Sequence, residues 1–209
     1  MLLSYCVIGA AMVPKPSFFR LFWTLVAYFF GLGIAAHCLD QLPGMGSRYV
    51  KHLTGGELKA LSVISLGVAV AIGVYGTTIV GPILWIFILL GGFFAIAYPV
   101  SRFFGGFFHN DFWFAVSWGA LPFLTSYYAQ ALTITLEAAL MSVAIALTAA
   151  MEIILSRHVR GIRAGPPEHA QFLVKPERVL KILVAAVILL ALAMFVWSLP
   201  RFTEPYIFR

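Results

Sequence analysis

Polar punctuation cuts this chain into seven apolar stretches, and stretches of that kind leave few folds open. They are Met1 to Val13, Phe18 to Cys38, Leu58 to Tyr75, Ile79 to Val100, Phe112 to Leu132, Leu136 to Leu155 and Val179 to Leu199. Most approach the ~20 residues that carry an α-helix across the hydrocarbon core of a bilayer. Lipid offers the backbone no hydrogen-bonding partner, so apolar runs of this length must be helices. With 62% apolar and 11% charged residues and a mean hydropathy of +0.97, the chain lies far outside the range of soluble domains. It reads as an all-α, polytopic transmembrane bundle of about seven helices, one integral membrane domain over residues 1–209. The first stretch is short for a crossing and lacks the positive front end of a signal peptide. It reads as a short span, or as the trailing half of a helix whose start is missing.

Charge orients such a bundle. The chain carries 14 Lys and Arg against 8 Asp and Glu, a formal net charge of +6. The basic residues fall between apolar spans, where topology and anionic lipid headgroups account for them, and a nucleic-acid role is rejected. With loops alternating sides, Arg48, Lys51, Lys59, Arg102, Arg157, Arg160, Arg163, Lys175, Arg178 and Lys181 share one face. Only Lys15, Arg20, Arg201 and Arg209 share the other. The positive-inside rule places the basic loops 39–57, 101–111 and 156–178, the last a long one, in the cytoplasm, and the chain in the cytoplasmic membrane as a multi-pass protein. Cys6 and Cys38 show no pairing or metal-ligand spacing, so neither a disulfide framework nor zinc is implied.

Pro14 and Pro16, Pro43 with Gly44 and Gly46, and Gly165-Pro166-Pro167 fall where the chain must leave a helix. Gly31, Gly33, Gly119 and Pro122 instead lie inside spans. Small residues permit close helix approach in lipid, and an internal proline frees a carbonyl, so the fifth span is expected to bend near Pro122.

Three cytoplasmic helix ends carry the polar residues of interest: His37, Asp40 and Arg48; Tyr98, Arg102, His109, Asn110 and Asp111; and Glu152, Arg157, His158 and Arg160. Should these ends converge, carboxylates would lie beside arginines, a combination suited to an anionic ligand with or without a divalent cation. An ionisable group at the mouth of a span is costly and tends to be functional, which singles out Asp40, and Glu152 a turn inside the sixth span. His37 and Asp40 share a helical face and act on one ligand or bond to each other. Structural uses stand beside these: Tyr98 and Arg102 as an interfacial aromatic and a snorkelling arginine, Asn110 or Asp111 as a helix cap, Glu152 neutralised by Arg157 or His158. The 19 Phe, 5 Trp and 8 Tyr read as lipid-facing belts or as a greasy groove for an isoprenoid tail.

In order and spacing, residues 18 to 165 resemble the UbiA superfamily of intramembrane prenyltransferases. In that family a helix ends in an Asn-Asp-x-x-Asp type motif, followed by a cytoplasmic loop with an arginine and a glycine before the next helix. Here the corresponding run is Ala36-His37-Cys38-Leu39-Asp40, then Arg48, then Gly55-Gly56-Glu57-Leu58. Tyr98 to Arg102 resembles the family's tyrosine and basic residue after the fourth span, and Asn110 to Gln130, with Gly119 and Pro122, its fifth span. The pattern is broken at Ala36, His37 and Gly44. The second aspartate-rich motif is represented, from Glu152 to Gly161, by one glutamate and a set of basic residues.

The resemblance implies electrophilic alkylation, in which Mg²⁺ and basic residues hold a prenyl diphosphate, the diphosphate leaves, and a lipid or aromatic acceptor attacks the allylic carbon. It implies Asp40 and Glu152 as catalytic carboxylates and Mg²⁺ ligands, and His37, Arg48, Tyr98, Arg102, Asn110, Asp111, Arg157 and Arg160 as substrate contacts. The implied partners are membrane lipids, an isoprenoid diphosphate and a lipophilic acceptor. The reduced carboxylate set leaves an alternative: a catalytically inactive protein of the same fold that binds lipid, or a small-molecule transporter.

Overall fold

The computed structural model describes residues 1–42, 52–100 and 103–202. Among the described residues, besides short 3-10 turns, seven helices follow one another: α1 (Leu2–Ala11), α2 (Phe18–Asp40), α3 (Gly55–Val80), α4 (Leu84–Ala97), α5 (111–131), α6 (Leu136–Ala164) and α7 (Val174–Arg201). The described residues form no strand. Helices α2, α3, α6 and α7 are long and apolar enough to cross a membrane. Their outward faces present Val63 and Ile64, Leu140 and Leu147, and Leu189, the exposed apolar surface that marks a protein meant for lipid.

The other three helices depart from the expected spans for separate reasons. Helix α1 has 10 residues and α4 has 14, about 15 and 21 Å at the α-helical rise, short of the ~30 Å hydrocarbon core. The span expected over 79–100 is cut at both ends. Gly81, at φ +96, leads with Pro82 out of α3, and Pro99, which has no N–H to continue the ladder, ends α4. Helix α5 has the length but not the hydropathy, because it faces protein. It packs against α1, α2, α4 and α6 and buries Ser117, Thr125, Ser126 and Gln130.

Those polar side chains fasten α5 to its neighbours. Ser126 donates to the Cys6 carbonyl at 2.6 Å, and the Tyr28 and Thr125 hydroxyls lie 2.6 Å apart. At the end of α5 the Ser17 N–H donates to Gln130 Oε1 at 2.7 Å, and Arg20 donates to the Ala129 carbonyl at 3.2 Å. Two glycines set the separations. A Cβ on Gly9 would lie 2.5 Å from the Phe123 carbonyl oxygen, and one on Gly119 would lie 2.8 Å from the Ala149 Cβ.

A π-helical stretch, Ala115–Ala120, lies immediately before Pro122, and α2 carries a second one, Phe29–Ala36. Such wide turns recur at functional sites. The long loop expected over 156–178 is corrected: α6 continues to Ala164, because its Arg-bearing turns are good helix formers until Gly165-Pro166-Pro167 stops them. Glu177 of α7 then pairs with Arg163 at 3.2 Å and Lys181 at 2.8 Å.

Gly9→Ala and Gly119→Ala are each expected to lower the stability of the detergent-solubilised protein by about 1–3 kcal/mol. Gly67→Ala, which meets nothing within 4 Å, should change it by less than about 1 kcal/mol. Equilibrium unfolding in SDS, titrated for all three variants, checks the contrast.

Candidate functional site

Three helix ends meet around a cavity of about 290 Å³. His37 and Asp40 reach it from the last turn of α2, Tyr98 from just past α4, and Glu152, Arg157 and Arg160 from α6. Residues 152, 156 and 160 follow one another at i, i+4 and i+8, so α6 presents them on one face. The convergence that would place carboxylates beside arginines is therefore present. Arg48 and Arg102 lie outside the described residues.

Asn110 and Asp111 do not line the cavity. The Asn110 Oδ1 accepts from the Trp113 N–H at 3.0 Å and its Nδ2 donates to the Phe107 carbonyl at 2.8 Å. The Oδ1 thus caps α5, the structural use named beside the substrate role, and the Nδ2 holds the turn before the helix. Asp111 Oδ1 lies 2.7 Å from Arg157 Nη1, a contact of charge without hydrogen-bond alignment. Arg157 also donates from Nη2 to the Tyr98 hydroxyl at 3.4 Å. Asp111 thus reaches the cavity only through Arg157. The expected neutralisation of Glu152 by Arg157 or His158 is replaced by this pair: among the described residues Glu152 makes no ion pair.

His37 sits exposed at the rim, with Nδ1 2.9 Å from the Leu32 carbonyl and no bond to Asp40. His109, named with its cluster but given no role from sequence, lines the cavity from the segment before α5. Its Nδ1 lies 2.8 Å from the Tyr98 carbonyl and its ring stacks on the Tyr98 ring at 5.0 Å. Tyr98 in turn meets Trp118 at 4.7 Å, and Trp118 stacks with Phe114 at 5.5 Å. Aromatic and charged side chains therefore line the cavity together. Sequence gave no signal for the role of His109, since its partner is a backbone carbonyl. Burial pushes the Tyr98 phenol, one residue beyond α4, above its ordinary range, while the Arg157 guanidinium pulls it back.

Mg²⁺ asks for near-octahedral oxygen ligation. The described residues bring no three His, Cys, Asp or Glu side chains together as a metal site. Asp40 and Glu152 suit Mg²⁺ only as one or two carboxylates, with phosphate oxygens and water supplying the rest.

A second, apolar cavity of about 670 Å³ lies farther along the molecule, lined by α2, α3, α4 and α5. Gly31, Gly73, Gly76, Gly91 and Gly92 border it; a Cβ on Gly91 or Gly92 would meet nothing within 4 Å, whereas one on Gly73 or Gly76 would lie within 3 Å of the Ile88 or Leu84 side chain, so those two serve close helix packing. A buried cluster that includes Leu32, Ala36, Tyr98 and Trp118 stands between the two cavities. No family model, curated protein or solved structure matches the chain.

Asp111→Asn removes the charge that occupies Arg157. The two side chains are 35% and 40% exposed, so the pair is screened and worth up to about 1 kcal/mol. The variant is expected to bind inorganic diphosphate roughly two- to fivefold more tightly, as that energy allows, and titration calorimetry of both proteins measures it.

Proposed function

We propose that the chain is a divergent UbiA-like intramembrane prenyltransferase, multi-pass in the cytoplasmic membrane, with its polar cavity on the cytoplasmic side. The observation that carries this reading is the gathering of Asp40, Tyr98, Glu152, Arg157 and Arg160, from three helix ends far apart in sequence, around one cavity. The excess of Lys and Arg in the loops on that side supports the orientation.

Arg160 and Arg157 bind the diphosphate of the prenyl donor and stabilise its charge as the allylic C–O bond breaks. Asp40 and Glu152 would hold Mg²⁺ together with the diphosphate, and the cation would supply Lewis-acid neutralisation of the leaving group. The aromatic wall of Tyr98, Phe114 and Trp118 keeps water from the allylic carbon and turns π faces toward the positive charge that develops there. The glycine-bordered apolar cavity, in line along the same helices, has the lining an isoprenoid chain needs.

A second reading, retention of an anionic lipid without transfer, is favoured by one observation: Arg157 is already engaged by Asp111. The two separate in one experiment, incubation of the purified protein with labelled geranyl, farnesyl and geranylgeranyl diphosphates, Mg²⁺ and lipid acceptors. Transfer that stops with EDTA and falls at least ~10²-fold in Asp40→Asn and Arg157→Ala supports the enzyme. Absence of both binding and transfer at every chain length sinks it, and phospholipid retention unchanged in Arg157→Ala, read by native mass spectrometry, identifies the lipid binder.

A further inference from the structure

The apolar cavity carries one charge in its wall. It is lined from residues 19–32 of α2, 66–80 of α3, 84–92 of α4 and 125–129 of α5, all toward the helix ends remote from Asp40 and Glu152. Of the described residues that line it, Arg20 alone is charged. The hydroxyls of the inner wall are spent within the protein. Thr24 donates to the Arg20 carbonyl at 2.8 Å and Thr125 to the Leu121 carbonyl at 2.7 Å. Having given its hydrogen there, Thr125 accepts from the Tyr28 hydroxyl at 2.6 Å. An occupant therefore finds hydrocarbon through the depth of the cavity, and free donors only at the Arg20 end and at the exposed rim that includes Trp23 and Tyr75.

Arg20 is half-buried, and its guanidinium is divided between two uses. Nη1 donates to the Ala129 carbonyl at 3.2 Å and to the Gln130 carbonyl at 3.5 Å, acceptors left over where α5 ends. Among the described residues no carboxylate pairs with Arg20, and Nε and Nη2 have no protein partner. Those two nitrogens form one edge of the guanidinium, the fork that holds two oxygens of one anion. Trp23, Val70, Tyr75 and Ile79 line the cavity and are also exposed, so it opens sideways toward lipid.

We propose that this cavity binds an anionic phospholipid, with the phosphate seated on Nε and Nη2 of Arg20, one acyl chain in the cavity and the second left in the bilayer through the lateral opening. In the orientation proposed above, the lipid comes from the non-cytoplasmic leaflet. The site stands apart from the prenyl-transfer reading, because its headgroup lies at the end of the bundle remote from Asp40, Glu152 and Arg157. A phosphodiester bears one charge and matches a single guanidinium. A diphosphate brings more charge than one fork meets, and the wall has no carboxylate to hold a cation beside it. An ammonium-bearing headgroup likewise finds no carboxylate partner there. The volume, about 670 Å³, falls within the roughly 300–1,000 Å³ of sites that enclose most of a ligand.

Native mass spectrometry of the purified protein, titrated with dioleoyl phosphatidylglycerol, dioleoyl phosphatidylcholine and oleate, tests the assignment. Wild-type protein should hold phosphatidylglycerol roughly two- to fivefold more tightly than phosphatidylcholine, the worth of a partly screened charge. Arg20→Gln keeps an amide near the α5 carbonyls but has neither charge nor fork, and should lose roughly tenfold or more, as a charge-assisted hydrogen bond implies. The double variant Gly91→Leu/Gly92→Leu fills space where a Cβ meets nothing within 4 Å and leaves Arg20 in place. It should also lose roughly tenfold or more, since each methylene denied burial costs several-fold. Arg178→Ala, exposed on α7, should stay within about twofold, which separates the site from general attraction to basic loops.

Equal retention of phosphatidylcholine assigns the headgroup to the π faces of Trp23 and Tyr75, and preferential retention of oleate identifies a fatty acid; either overturns the proposal. So does wild-type retention of phosphatidylglycerol in Arg20→Gln or in the double glycine variant, or a loss in Arg178→Ala as large as in Arg20→Gln. A second measurement leaves Arg20 and its cap on α5 untouched. Phosphatidylglycerol brominated on its upper acyl carbons should quench Trp23 fluorescence, read as the difference between wild type and Trp23→Phe, more strongly than phosphatidylcholine brominated at the same carbons. Equal quenching by the two lipids overturns the site even if Arg20→Gln fails to fold.

Discussion

The close approach of α5 to α1 on one side and α6 on the other is the contact on which the rest of the molecule depends. Gly9 lets α1 lie against the Phe123 carbonyl, and Gly119 lets α6 lie against α5 at Ala149. In lipid there is little hydrophobic gain from pressing two helices together, so short separations and interhelical hydrogen bonds supply the cohesion. Helix α5 has both, with the Ser126 to Cys6 and Tyr28 to Thr125 bonds beside its two glycine-lined contacts. A central helix surrounded by others need not be apolar, and α5 uses that freedom to hold serines, threonine and glutamine where lipid would not tolerate them.

The position of α5 in turn builds the cavity. Its first turn carries Asp111 to Arg157, and Phe114 and Trp118 follow to form the aromatic wall against Tyr98. Gly119 comes directly after that wall and fixes how near α6 stands, hence how far Glu152 and Arg157 lie from Tyr98 and His109. The packing glycine and the chemistry are one turn apart on the same helix. A shift of α5 along its axis would break both ends at once: the Gln130 and Arg20 contacts far from the cavity and the Arg157 pair beside it.

The class of the fold was legible in sequence because lipid imposes so few solutions on long apolar runs. The helix ends were less so. Loop 156–178 was expected from where hydropathy fell, yet hydropathy reports where lipid stops, not where hydrogen-bonded turns stop, and α6 continues through Arg157 and Arg160 to Gly165. The same continuation aligned Glu152 with Arg160 on one face, so the error in the element hid part of the site's geometry. Asp40, Glu152, Tyr98 and the α6 arginines could be singled out because charge near apolar spans is conspicuous. The roles of Asn110, Asp111 and His109 could not, because they turn on a backbone N–H, a neighbouring arginine and a backbone carbonyl respectively. No spacing of residue types encodes a choice between capping and ligation when both need the same side chain at a helix start.

Charge sets the last constraint. Around the cavity the described residues place three carboxylates, Asp40, Asp111 and Glu152, against two guanidiniums, Arg157 and Arg160. A site so balanced does not by itself attract a multiply charged anion, and a phosphate entering it alone would meet Asp40 and Glu152 as like charges. Positive charge must therefore arrive with the anion or be drawn from beyond the described residues, where Arg48 and Arg102 stand in the sequence. A divalent cation bound to a diphosphate would meet that requirement, and the two carboxylates would then serve as its ligands instead of repelling the anion. The carboxylates that disfavour a simple phosphate pocket would favour a cation-bearing ligand, and Arg157, paired with Asp111, would have to exchange that partner to contact such a ligand directly.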